Sequence, residues 1–343
     1  MNTQHPDRPR RTLVTGGRGF LGRALVDALV QRGDDVTILD IATPPDLLPP
    51  RARYVRADLC DGAAMTDACR GVDTVFHSAS LVHTKHNRVE LVRTVNVDGT
   101  RSVLGACRAA GVPRLVYVSS ASVVYEGRDI ENGDETLPYA RRFPAPYAET
   151  KRIAEEEVLS ASGPDLMTCA IRPHVVFGPG DTRFLPAILG RAKAGKLTFK
   201  VGRGTFLSDF TYVTNVVDAL LAAEERLVPG SPVGGQAYFI TNGEPTAFWD
   251  FVRRVVEPMG FRAPRYSIPY ALAYAAAAVR EFIDTLRGGT LHAEEGLSRF
   301  AIRYICTHHY FSHARATRDL GYRPRVSIQQ GIDTTLQSLR ALS

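Results

Sequence analysis

The chain has 343 residues, carries 42 Lys and Arg against 36 Asp and Glu for a net charge of +6, and is 44% hydrophobic and 23% charged. That size and balance suit one large α/β domain with a smaller lobe and exclude a chain that is mostly disordered. The basic residues are scattered, with no run interleaved with aromatics, so the positive charge does not read as a nucleic-acid surface.

Residues 1–11 are polar, contain Asp7, Arg8, Arg10 and Arg11, and have no apolar core. They are expected to form a frayed tail rather than a secretory signal. Thr12-Leu13-Val14 then reads as a short strand, and Thr15-Gly16-Gly17-Arg18-Gly19-Phe20-Leu21-Gly22 as the turn that hands it to a helix. Phe20, Leu21, Ala24, Leu25, Ala28 and Leu29 give that helix one apolar side, and Gly33 closes it.

Glycines at 16, 19 and 22 allow a tight turn, an unobstructed backbone and close packing of helix on strand, which a dinucleotide pyrophosphate requires. The helix start offers free N–H groups and partial positive charge to the phosphates. Gly16, Gly19, Phe20, Leu21 and Gly22 are therefore candidate cofactor-binding residues. Val36-Thr37-Ile38-Leu39 forms a second strand ending at Asp40, placed to meet the adenosine ribose.

A proline-rich loop leads to a third strand near Tyr54-Val55, after which Asp58 and Leu59 are candidates for the adenine end. A helix from Gly62 to Arg70 precedes a fourth strand, residues 72–76, ending in His77-Ser78-Ala79-Ser80. Ser78 and Ala79 are small enough for a cofactor to lie against. A long helix is expected from about Glu90 to Ala110; Asn96, on its Thr100 face, is read as steadying cofactor or a relay water. Leu115-Val116-Tyr117-Val118 makes a fifth strand ending in Ser119-Ser120-Ala121-Ser122. Strand and helix alternating at this pace predict a doubly wound parallel Rossmann sheet spanning residues 12–172.

Tyr147-Ala148-Glu149-Thr150-Lys151 puts a phenol and an ammonium one turn apart on the same helix face, after Pro144 and Pro146 at the helix start. The cation is expected to favour phenolate and pull the Tyr147 pKa below its free value of about 10. The five cysteines, at 60, 69, 107, 169 and 306, lack a Cys-x-x-Cys pair and read as small buried residues of a reducing, cytoplasmic environment. Cys306, His308, His309 and His313 have no matching second half elsewhere, so no metal is expected.

The TGGRGFLG turn, Asp40, VSSASVV, YAETK, IRPHVVFGPGD and SDFTYVTNVVDA together resemble the extended short-chain dehydrogenase/reductases. More narrowly, SSASVVYEGRDIENGDETLPYA, GGQAYFITNGEPTAFWDFVRR and HHYFSHARATRDLGYRPR resemble the 3β-hydroxysteroid dehydrogenase branch, especially its decarboxylating sterol-4α-carboxylate 3-dehydrogenases. The resemblance implies that Tyr147 exchanges the substrate hydroxyl proton. It also implies that Lys151 binds the nicotinamide ribose, that Ser120 holds the substrate oxygen, and that Pro173 lies at the cofactor. Asp40 implies NAD over NADP, because a carboxylate accepts from two ribose hydroxyls and repels a 2'-phosphate.

The implied reaction is oxidation of a sterol 3β-hydroxyl, with loss of CO₂ from a 4-carboxysterol. A reductase of long-chain 2-alkyl-3-oxoalkanoic acids is the close alternative. A nucleotide-sugar epimerase is the more distant one, disfavoured by Ser208 where such relatives carry an arginine; Ala121, where sugar dehydratases carry an acid, speaks against those enzymes too. Residues 173–343 are expected to form mainly the substrate lobe, with returns to the sheet domain at about 205–225 and 236–241. Ile268 to Val279 is an uncharged run too short to cross a bilayer. It reads either as a buried lobe helix or as a segment lying at a membrane surface where an apolar substrate is collected. A homodimer is also expected.

Overall fold

The computed structural model describes residues 8–83, 88–143, 145–287 and 298–341. Strands β1 (Arg11–Thr15), β2 (Asp35–Asp40), β3 (Ala52–Arg56), β4 (Thr74–His77), β5 (Arg114–Val118), β6 (Met167–Pro173) and β7 (Ala237–Ile240) form one parallel sheet in the order β7-β6-β5-β4-β1-β2-β3. The order reverses between β1 and β4, which opens a crevice at the carboxyl ends of those strands.

Each face of the sheet is covered because its strands are apolar on both sides. On one face α1 (Phe20–Arg32) packs with a later helix, Val213–Arg226, around Val14, Leu25, Ile38, Phe76, Val116 and Leu220. On the other lie Gly62–Cys69, a helical run over residues 89–110, and α4 (Pro146–Ser160); these we number α2, α3 and α4. The α3 run is not uniform: Thr94–Asp98 winds as a π-helical turn between two α-helical pieces. Pro146 is the first residue of α4, whereas Pro144 and residues 1–7 of the expected tail lie outside the described residues.

The remainder of the proposed tail is tied down. Arg8 pairs with Asp73 at 2.7 Å, Arg10 reaches Glu224 at 3.2 Å, and β1 begins at Arg11. The lobe is built from α5 (Phe184–Lys193), α7 (Phe248–Val256), α8 (Tyr270–Leu286), α9 (Arg299–Ile305) and the C-terminal α11 (Ile328–Ala341). Between these, α6 (Val213–Arg226) and β7 return to the sheet domain. So does α10 (Ala314–Leu320), whose Ala316 and Leu320 join the sheet-side core with Tyr322. The lobe core is aromatic, with Phe177, Phe184 and Phe210 each packed on Phe251.

The uncharged run from Ile268 is not a buried helix. It continues to Leu286 as α8, with only Ala273 and Ala277 buried. Leu272, Val279, Phe282, Ile283 and Leu286 face outward, Phe282 64% and Leu286 71% exposed. Among the described residues no helix is long and apolar enough to cross a membrane.

Candidate active site

All of the sequence-derived site residues except Asn96 and the α4 pair sit on segments leaving the carboxyl ends of sheet strands. At the end of β1 the chain turns through Gly16 in the left-handed region, φ 69°, where an added Cβ would lie 2.6 Å from the Ala79 backbone. A Cβ at Gly22 would lie 2.1 Å from the Gly16 carbonyl, so only glycine lets α1 begin this close to the strand. Gly19 caps α1 without a side chain, and the first-turn N–H groups of Phe20 and Leu21 are left to an outside acceptor. This cradle fits a pyrophosphate.

Asp40 ends β2 beside that cradle. One of its carboxylate oxygens accepts from Arg18 N–H and the other from Ala42 N–H, both at 3.0 Å. These bonds fix the carboxylate and leave each oxygen a further lone pair, enough for two ribose hydroxyls. Asp58 is exposed and its side chain closes a turn onto Cys60 N–H, while Leu59 is buried against α3. Ser78 and Ala79 are anchored through their N–H groups to the carbonyl and hydroxyl of Thr15.

Asn96 is buried and bonded to protein groups. Its side chain accepts from Leu81 N–H at 2.7 Å and donates to Leu81 carbonyl at 3.1 Å and Thr150 hydroxyl at 3.0 Å. With both donors and one acceptor site engaged, it fastens the segment after β4 to α4 next to Lys151. The π turn carries it inward, and no local signal in the sequence announces that turn.

Ser120, at the end of β5, caps a short 3-10 turn, Ala121–Val124. Its hydroxyl and that of Ser80 face the Tyr147 phenol and favour its ionised form, as does the Arg183 guanidinium. Burial is the larger influence and holds the Tyr147 pKa above its ordinary value. The lowering expected from Lys151 is therefore not found: Lys151 is not among the groups that favour the phenolate. Instead the Lys151 ammonium turns inward, donating to the Val118 carbonyl and lying 4.2 Å from the centre of the Tyr117 ring. At 1% exposure it pays for its desolvation with a pKa lowered to about 7, against which Glu155 on the next turn of α4 pulls upward.

Glu155 is itself wholly buried and held by Arg172 of β6 through contacts of 2.6 to 3.1 Å, and it accepts from the Tyr139 hydroxyl at 2.7 Å. Beneath these groups His77 is kept neutral by burial, its pKa lowered to about 3, between the hydroxyls of Thr15 and Thr100.

Pro173 ends β6, and the next residue opens a cluster that sequence reading missed. The backbone carbonyl of Asp209 takes the His174 Nδ1 proton at 3.0 Å, which leaves Nε2 to accept from the Tyr304 hydroxyl at 2.8 Å. His309 lies 4.0 Å from the Tyr304 ring, and Tyr125, five residues after Ser120, packs on both. The residues expected to be structural, His308, His309 and His313, bond protein groups. Among the described residues no three His, Cys, Asp or Glu side chains gather as a metal site would require.

The Tyr125 hydroxyl reaches Thr307 at 2.7 Å in the wall of a lobe cavity of about 720 Å³, also lined by Gly127, Phe206, Tyr270 and Arg303. Neither Ser120 nor Tyr147 lines this cavity. Arg183, a second residue missed from sequence, extends from the lobe to the Val82 carbonyl at 3.0 Å, two residues beyond Ser80. Only its tertiary position distinguishes it from the other arginines.

Residues 13–270 match the 3-beta hydroxysteroid dehydrogenase/isomerase family. Sterol-4-alpha-carboxylate 3-dehydrogenase, decarboxylating, of Mus musculus is 39% identical over 342 residues, covering 99% of this chain and 94% of that protein. The 2-alkyl-3-oxoalkanoate reductase of Stenotrophomonas maltophilia is 40% identical over 326 residues, covering 94% and 97%. In structure the chain resembles MoeE5 in complex with UDP-glucuronic acid and NAD, with a TM-score of 0.75, 26% identity, and coverage of 97% of this chain and all of that one. With the family match over residues 13–270 and similarity along nearly the whole length, the chain belongs to the 3-beta hydroxysteroid dehydrogenase/isomerase family.

Proposed function

We propose that this protein oxidises the 3β-hydroxyl of a 4-carboxysterol with NAD and releases CO₂, giving a 3-ketosterol. The observation that carries the reading is the convergence of Ser120 after β5, Ser80 after β4 and Tyr147 on α4, beside a dinucleotide cradle, in a chain 39% identical to decarboxylating sterol-4-alpha-carboxylate 3-dehydrogenases. Gly16, Gly19, Phe20, Leu21 and Gly22 would hold the pyrophosphate, Asp40 the adenosine ribose, Asp58 and Leu59 the adenine, and Ser78, Ala79, Lys151 and Pro173 the nicotinamide half. The bound dinucleotide supplies the hydride acceptor. Asp40 supports NAD over NADP because its carboxylate, already fixed by two backbone N–H groups, would repel a 2'-phosphate.

In this reading Tyr147 takes the proton of the substrate hydroxyl, its ionised form favoured by Ser120, Ser80 and Arg183 against the opposing effect of burial, and Ser120 donates to the same oxygen. Oxidation next to a carboxyl-bearing carbon yields a β-keto acid. Its C–COO⁻ bond breaks with the electron pair passing into the ketone as an enolate, and the proton held by Tyr147 is available to quench it. Arg183 is the cation placed to meet the substrate carboxylate, which lies only a few bonds from the reacting hydroxyl. The exposed apolar side of α8 supports peripheral contact with a membrane surface.

A second reading has a specific basis. The 2-alkyl-3-oxoalkanoate reductase is as similar in sequence as the sterol enzymes, and the substrate in its name is also a β-keto acid. The two are separated by comparing kcat/KM on a 4-carboxysterol and on a 2-alkyl-3-hydroxyalkanoate. The sterol reading predicts at least a tenfold preference for the first; the reverse preference would transfer the assignment.

A further inference from the structure

Ser120 is tied not only to Tyr147 but to a third hydroxyl two residues on. The Ser120 Oγ accepts from Ser122 N–H at 3.2 Å and from the Ser122 hydroxyl at 2.9 Å. A serine hydroxyl has two lone pairs and one proton. With both lone pairs occupied from the Ser122 side, only the proton of Ser120 is left for its hydrogen bond to the Tyr147 phenol and for an oxygen beside it. A serine free to rotate would instead spend much of its time accepting from Tyr147 or donating to a backbone group.

We propose that Ser122 is a positioning residue that makes Ser120 an obligate hydrogen-bond donor toward the substrate oxygen. The inference rests on the assignment of Ser120 to that oxygen. It goes beyond it by giving a function to a residue that would otherwise be one more small side chain in a serine-rich turn. The 3-10 turn is what makes the geometry available, since it brings residue 122 back over residue 120 and leaves Ser122 half-buried at the site. Replacing Ser122 by alanine removes one of the two donors and spares the other, because the N–H belongs to the backbone. The cap of the turn therefore survives the substitution.

Kinetics of Ser122→Ala, Ser122→Thr, Ser120→Ala and the Ser120→Ala/Ser122→Ala pair, measured with NAD and the better of the two acid substrates, test this. Loss of one neutral hydrogen bond in the transition state predicts a fall in kcat of about tenfold for Ser122→Ala with KM little changed. The acid limb of the kcat profile should also move to higher pH, because phenolate loses part of its fixed donor. Ser122→Thr, which keeps the hydroxyl, should restore both. In the Ser120→Ala background the second substitution should have no further effect, because Ser122 acts only through Ser120. Unchanged kcat in a folded Ser122→Ala variant would overturn the proposal, and so would the same tenfold loss superimposed on Ser120→Ala. Wild-type turnover in Ser120→Ala would bring down the site assignment itself and this inference with it, a result distinguishable from failure of Ser122 alone.

Discussion

The sheet domain and the lobe solve different problems with different materials. In the sheet domain two charged groups near the crevice are held by backbone: Asp40 by the N–H groups of Arg18 and Ala42, and Lys151 by the Val118 carbonyl. Charges that cannot be exposed are paired in the interior, as Glu155 is with Arg172. In the lobe, aromatic and imidazole side chains hold one another, as His174 does with Tyr304, and one helix keeps an apolar side in solvent. The difference separates a fixed cofactor platform from a region whose aromatic and apolar surfaces are available to a greasy substrate.

The sharpest way to break that division is on the platform. Tyr147→Phe changes one oxygen and should lower turnover by about 10²- to 10⁴-fold, the usual cost of losing a general acid-base group, while NAD binding by fluorescence titration stays the same. Near-normal turnover would remove Tyr147 from the reaction.

Next in size is the buried pair behind it. Arg172→Met leaves Glu155 with only the Tyr139 hydroxyl, and should cost about 3–5 kcal/mol in chemical denaturation. A loss below about 1 kcal/mol would show that Glu155 takes up a proton or finds water at little cost.

Asp40→Ala should weaken NAD by roughly 10- to 100-fold, as expected for charge-assisted hydrogen bonds, and NADP by less. A native preference for NADP would contradict the proposed cofactor.

Lys151 allows a pH test of the same platform. Its folded pKa, about 7, lies below its unfolded value, so between those values the unfolded chain binds more protons and stability rises with pH. In the cofactor-free protein Lys151→Met should therefore be stabilising relative to wild type at pH 6, with the advantage shrinking toward pH 10. An advantage independent of pH would mean that desolvation of the ammonium is not its source.

The lobe is probed by smaller effects. Arg183→Gln should raise KM for a 4-carboxysterol by about tenfold and leave KM for the corresponding 3β-hydroxysterol without a carboxyl group nearly unchanged. Equal effects on both would deny Arg183 a part in acid recognition. Phe282→Asp with Leu286→Asp should reduce sedimentation with phospholipid vesicles while changing stability by no more than about 0.5 kcal/mol each. Retained vesicle binding would place any membrane contact elsewhere.

The same division governed what could be read from the chain beforehand. The glycine turn, Asp40, Ser120 and the Tyr147 to Lys151 spacing are local signals, and the structure gathers them at one end of the sheet. Lys151 could be located but not its orientation, because the Val118 carbonyl and Tyr117 ring that turn it inward come from another element. Asn96 stood out by its spacing from Thr100, but its bonds to Leu81 and Thr150 did not, since a π turn depends on what the helix must reach. The His174, Tyr304 and His309 cluster left no trace, because its members meet only in the folded chain. The run from Ile268 showed its apolarity, and only packing showed that most of it faces outward.

The most direct measurement is the stoichiometry of a single oxidation. With a 4-carboxysterol labelled in the carboxyl carbon, the account predicts one NADH and one labelled CO₂ for each molecule of substrate consumed, and a 3-ketosterol one carbon smaller. NADH formed with the label retained in a 3-keto acid would contradict decarboxylation by this protein, and no NADH from any 4-carboxysterol, alongside turnover of a 2-alkyl-3-hydroxyalkanoate, would contradict the sterol assignment.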